Sequence, residues 1–103
     1  MPTDLSDLLG RIEAELDRDS DVARIERTLT DGYAHALALE AERWRLERRI
    51  GEVARLLGRG DTANRAAELS KLSRRLQRAD GELDTLRTTL ARLRRHASDV
   101  RAA

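Results

Sequence analysis

The chain has 103 residues, of which 38% are charged and 2% aromatic, and its formal net charge is +1. A chain of this length forms one domain at most. A thick globular core is hard to fill, because phenylalanine is absent and Tyr33 and Trp44 are the only aromatic residues. The abundance of Leu, Ala, Arg and Glu is typical of long helices packed along a narrow seam, so the composition predicts an all-α fold.

Several classes of function lack the residues that they require. The absence of cysteine excludes disulfides and thiolate metal sites. No serine or threonine has a plausible histidine base nearby, no glycine-rich loop follows a strand, and neither histidine belongs to a metal-binding pattern. We therefore expect no enzyme activity, no cofactor and no metal.

Membrane and secretion signals are also missing from the sequence. No segment approaches the roughly 20 apolar residues that a bilayer crossing needs. The first residues do not show a basic stretch followed by an apolar run. We therefore expect a cytoplasmic protein that has no membrane partner.

The first predicted element is a short amphipathic helix over residues 1–18. Its apolar stripe consists of Leu5, Leu9, Ile12 and Leu16. This stripe is out of phase with the pattern that follows, and residues 17–21 are rich in N-cap residues. We predict a bend at this point; the alternative is one continuous helix with local overwinding.

The second predicted element is a long helical arm over residues 20–58, whose apolar residues recur at heptad positions a and d. Three of these positions hold residues that fill a seam poorly: Gly32, Ala36 and Arg43. A break at residues 30–32 would give shorter helices, but the heptad phase continues across it and favours an unbroken arm. An arginine at a seam position typically extends outward, where Asp80 or Glu82 could pair with it.

A turn at residues 59–61 separates this arm from a second one over residues 62–101. Gly58 and Gly60 are suited to the positive φ angles at a helix C-terminus, and Asp61 or Thr62 can cap the next helix. In the second arm, one series of apolar residues from Leu69 to Val100 advances by alternating steps of three and four without exception. This pattern predicts a heptad seam.

Antiparallel pairing of the two arms about the turn places large residues opposite small ones. In the preferred register Gly32 faces Leu90 and Ala36 faces Leu86, whereas a shift by one heptad would lose packing and bury a charge. We therefore predict an all-α protein, an antiparallel two-helix coiled-coil hairpin with a short N-terminal amphipathic helix, which assembles into a helical bundle.

The distribution of charge supports the same pairing. Residues 1–31 contain nine acids and four arginines, whereas residues 87–103 contain five arginines and one acid. These segments lie side by side in the antiparallel register. Each exposed pair contributes only about 0.2 to 1 kcal/mol, so charge favours this arrangement without determining it.

An apolar stripe on the first arm is the candidate partner interface. It consists of Tyr33, Leu37, Ala41 and Trp44, which advance by four, four and three residues. A two-stranded coil leaves this stripe exposed, and Trp and Tyr beside small residues are typical of contact centres. The alternative is that the N-terminal helix folds back over the stripe, as far as about Leu37. We expect this stripe and the N-terminal stripe to bind a second copy of the chain or another helical protein.

Nucleic-acid binding is an alternative that we do not expect. Arginines cluster at residues 74–78 and 92–96, but residues 1–58 contain thirteen acids and nine arginines, which partly cancel the positive field. No aromatic residue that could stack on a base lies among these arginines.

In length and hairpin shape the chain resembles the small secreted WXG100 proteins. Their Trp-x-Gly motif lies in the turn, whereas here Trp44-Arg45-Leu46 lies inside the first arm and the turn has no tryptophan. The resemblance implies a secreted helical hairpin, which is a second alternative.

Overall fold

The computed structural model describes residues 4–17 and 21–103. Within these ranges the chain forms three helices and no strands: α1 (Leu5–Asp17), α2 (Val22–Leu56) and α3 (Thr62–Ala102). The molecule is elongated, measuring 64 × 21 × 19 Å with a radius of gyration of 18.5 Å. A compact domain of 100 residues has a radius of gyration of about 13 Å. The predicted all-α class is confirmed.

The two long helices lie side by side and run in opposite directions. Glu26, near the start of α2, pairs with Arg101 at the end of α3. Toward the turn, Glu68 Oε1 lies 2.7 Å from Arg49 Nη2. Gly32 contacts Leu90 as predicted, because a Cβ built on Gly32 would overlap Leu90 Cδ2. A glycine here costs helix stability but allows this close approach.

Helix α2 is continuous across residues 30–32, so the alternative with a break there is wrong. The neighbouring Thr30 donates its hydroxyl to the Glu26 carbonyl within the helix. Packing of α2 along α3 compensates for the poor helix propensity of this segment.

Helix α1 folds back and packs against both long helices. Leu8 and Ile12 are fully buried in a core with residues of α2 and α3. On the surface, Arg11 Nη2 lies 3.0 Å from Asp31 Oδ2. The alternative of one continuous helix is wrong, since such a helix could not bring residue 11 beside residue 31. Residues 1–3 of the predicted N-terminal helix lie outside the described residues, and so do residues 18–20, where we predicted the bend and the start of the first arm.

The apolar stripe of α1 requires a correction. We expected Leu5, Leu9, Ile12 and Leu16 to contact a partner, but Ile12 is fully buried and the other three are half-buried against the same core. The fully buried Leu8 lies at the centre of this contact. The α1 stripe therefore packs within the chain.

Capping residues set the helix boundaries at the start of α2 and around the turn. The Asp21 carboxylate accepts a hydrogen bond of 2.7 Å from the Arg24 amide at the start of α2. At the other end, α2 stops at Leu56, two residues before the predicted boundary, because Leu57 is extended with ψ 128°. The turn contains three residues with positive φ angles: Gly58, Gly60 and Asp61.

Of the two residues predicted as alternative caps of α3, Asp61 and Thr62, Asp61 does not act as a side-chain cap. Asp61 precedes the helix with φ 54° and makes no side-chain hydrogen bond to the helix backbone. Its Oδ1 atom instead accepts a hydrogen bond of 2.8 Å from Asn64 Nδ2. The left-handed conformation of Asp61 is one that aspartate tolerates better than most residues.

The helices divide the rod into two halves. We call residues 5–17, 22–40 and 83–102 the three-helix half, because α1 packs there against α2 and α3. The remaining residues 41–82, which include the turn, form the two-helix half. Each half has its own core, and the larger one lies under α1.

Candidate protein-binding face

In the three-helix half, the α2–α3 pair has one side covered by α1 and an opposite side that is open. On the covered side Thr28 of α2 bonds to α1 through Glu15, and Arg92 of α3 pairs with Glu13 at 3.2 Å. On the opposite side of the pair lies a groove of about 390 Å³, which we call the α2–α3 groove. It is lined by Tyr33, Ala36, Leu37, Glu40, Arg87, Leu90, Ala91 and Arg94.

The predicted stripe on α2 is exposed in the structure. The exposed fractions are 42% for Tyr33, 66% for Leu37 and 57% for Trp44, and Ala41 is also exposed. The alternative in which the N-terminal helix covers this stripe is wrong, because α1 lies on the opposite side of the α2–α3 pair. Large apolar side chains at this level of exposure are typical of contact surfaces.

Small side chains explain why a groove forms beside the stripe. Ala36 of α2 and Ala91 of α3 lie along the junction of the two helices, where their short side chains leave a depression. Leu90 fills the space beside Gly32 and forms the apolar floor. Tyr33 and Leu37 stand at the α2 edge, so part of the predicted stripe is one wall of the groove.

Trp44 extends the same face toward the two-helix half. It lines a neighbouring depression of about 320 Å³, and this depression shares Glu40 and Arg87 with the groove. The Arg48 guanidinium lies 4.9 Å from the centre of the Trp44 ring, a cation–π arrangement. Ala41 lines neither depression.

We define the open face as the predicted stripe together with the groove. From Tyr33 to Trp44 it extends about 16 Å along α2, at 1.5 Å per residue. This length matches a helical segment of roughly eleven residues.

Charged residues border the open face. Glu40 and Arg87 pair across the junction of the helices. Arg43 extends outward from the seam, as predicted, and its Nε atom lies 2.9 Å from Asp80 Oδ1 and 3.1 Å from Glu47 Oε1. Arg94, at the rim of the groove, has no ion-pair partner among residues 4–17 and 21–103. The rim therefore has an excess of positive charge beside Tyr33 and Leu37.

The α3 wall of this face was not identified from the sequence. Arg87, Ala91 and Arg94 advance by four and three residues, which places them on one side of a helix. The spacing is visible in the sequence, but only the register of α3 against α2 brings these residues beside Tyr33 and Leu37.

Among the described residues, no three His, Cys, Asp or Glu side chains are grouped so that they could hold a metal ion. None of the three described helices has a stretch sufficiently long and apolar to span a bilayer.

Comparison of the chain with protein-family models, curated proteins and solved structures found no significant match in any of the three.

Proposed function

We propose that the chain is a non-enzymatic protein-interaction module, a coiled-coil hairpin that presents its open face to a helix of a partner. The observation that supports this proposal is the exposure of Tyr33, Leu37 and Trp44 beside an apolar groove, although α1 already covers the other side of the pair.

The energetics favour a contact at this face. Burial of a large apolar side chain contributes about 1.5 to 3 kcal/mol, and Leu37 and Trp44 are both more than half exposed. Trp and Tyr are enriched among the residues that dominate binding energies. A helix placed here would give the three-helix half the four-helix arrangement in which such apolar surfaces are commonly buried.

Ion pairing makes nucleic-acid binding a weaker proposal. In the basic cluster at 74–78, Arg75 Nη2 lies 2.9 Å from Glu42 Oε1. In the cluster at 92–96, Arg92 pairs with Glu13. These acids reduce the positive field that a phosphate backbone would experience.

Site-specific photo-crosslinking in the native cell tests the proposal. We would place p-benzoylphenylalanine at Leu37 in the full chain and identify the crosslinked species by mass spectrometry. The matched control is the same residue at Leu57, which is exposed but lies at the turn. We expect a defined adduct from position 37 that is absent from position 57 and is reduced by Trp44→Ala.

Two results would contradict the proposed function. One is the absence of any protein adduct from position 37. The other is the same set of adducts from positions 37 and 57, since that would indicate contact without a specific face.

A further inference from the structure

The packing of α1 shows what kind of helix the α2–α3 pair accepts. Leu5–Asp17 contains four acids and one arginine, so α1 is acidic as well as amphipathic. Its Leu8 and Ile12 side chains are fully buried between the long helices. At the edge of this contact Glu13 pairs with Arg92 of α3.

The open side of the pair repeats these features without an occupant among the described residues. The α2–α3 groove has an apolar floor that includes Leu90 and Ala91. Arg94 lies at its rim, two residues after Arg92. Residues two positions apart project about 200° from each other around a helix, so α3 directs one arginine to each side of the pair.

We infer that the α2–α3 groove binds a short acidic amphipathic helix of a partner protein. Its leucine or isoleucine side chains pack in the groove against Tyr33 and Leu37, and a carboxylate pairs with Arg94. This inference rests on the proposed function and adds the chemical class of the partner.

Charge argues against a second copy of the chain as the occupant. The acidic amphipathic helix of each copy, α1, already packs against its own α2 and α3. The α2 stripe that a second copy would offer instead has Arg48 over the Trp44 ring. Placing this arginine along a rim that carries Arg94 would bring like charges together.

Peptide binding to the full chain tests the inference. The probe is a fluorescein-labelled peptide with the sequence of residues 4–17, acetylated and amidated. Its comparison peptide has lysine at each acidic position. Fluorescence anisotropy measures both dissociation constants. We expect the acidic peptide to bind at least about tenfold more tightly, a difference of roughly 1.4 kcal/mol.

Three variants locate the binding site. Leu37→Glu should abolish binding, because it places a charge in the apolar wall. Arg94→Glu should weaken binding about fivefold or more, an effect of the size expected for reversal of one partly exposed ion pair. Arg95→Glu makes the same change in net charge at the adjacent exposed position outside the groove, and should change affinity less than about twofold. Circular dichroism and thermal unfolding should match the wild type for all three.

Each contrary outcome has a distinct meaning. Equal affinity for the two peptides would overturn the inference about charge, while the helix-binding face would stand. Unchanged affinity in Leu37→Glu would place the peptide in the site of α1 and would also overturn it. A wild-type dimer in sedimentation that Leu37→Glu dissociates would make a second copy the occupant, which overturns the inference and supports the proposed function. If neither peptide binds and position 37 forms no adduct, both proposals are wrong.

Discussion

The two halves of the rod contain similar seams but bury their apolar residues to different extents. In the three-helix half the side chains of Leu86 and Leu93 are fully buried, because α1 closes one side of the α2–α3 pair. In the two-helix half Leu72 is 7% exposed, and three other seam residues are only half-buried: Ile50, Leu69 and Leu76. The third helix therefore enlarges the fully buried core, although Leu29 and Leu39 stay half-buried beside it and Val53 in the two-helix half is only 1% exposed.

Ion pairs along the sides of the seam are the main polar contacts in the two-helix half. Arg43 pairs with Asp80, and Arg49 with Glu68. The hydrogen bond that Arg49 donates to Glu68 raises the pKa of Arg49. Partly exposed pairs of this kind contribute little to stability and are weakened by salt. We therefore expect the two-helix half to open first, starting from the turn.

The largest difference between the halves should appear when one leucine is truncated in each. Leu93→Ala removes a fully buried side chain and should lower the free energy of unfolding by about 3 to 5 kcal/mol. Leu72→Ala should cost about 2 to 3 kcal/mol, because solvent can partly fill the space that it leaves. Urea denaturation followed by circular dichroism measures both values. Equal costs would show that α1 does not strengthen the core beneath it.

The comparison of the halves also shows what the sequence can and cannot predict. The contact between Gly32 and Leu90 was predictable, because the antiparallel register places small residues of the first arm opposite large residues of the second. The position of α1 was not, because its apolar stripe shows which side of the helix is buried but not which surface covers that side. The α3 wall of the groove was not predicted for a different reason. Arg94 is recognised as part of a binding face only when the α2 residues beside it, Tyr33 and Leu37, are known.

A smaller effect should come from the polar contact under α1. Thr28 is buried and donates a hydrogen bond of 3.1 Å to Glu15 Oε1, which is buried as well. Thr28→Val keeps the shape and removes this donor, so it should lower the free energy of unfolding by about 1 to 3 kcal/mol.

The control for this change is Thr30→Val, in which an exposed hydroxyl is removed from the same helix. The control should alter stability by less than about 0.5 kcal/mol. Similar effects of the two substitutions would mean that the buried contact with α1 contributes nothing of its own.

The smallest expected effects have opposite signs in the two halves. A methyl group added by Gly32→Ala would overlap Leu90 Cδ2 and lie 3.3 Å from Leu90 Cγ. Overpacking costs about 1 to 3 kcal/mol, and the better helix propensity of alanine returns up to about 1 kcal/mol. The net result should be a loss of about 1 to 2 kcal/mol.

At Gly81 an added Cβ meets no atom within 4 Å. Gly81→Ala should therefore stabilise the protein by about 0.5 to 1 kcal/mol, because only the propensity difference remains. Thermal unfolding of both variants measures the two shifts against the wild type. Stabilisation by both substitutions would mean that Leu90 can move aside without cost. In that case the close approach of α2 and α3 at Gly32 would not fix the register, and the groove beside it would have no rigid floor.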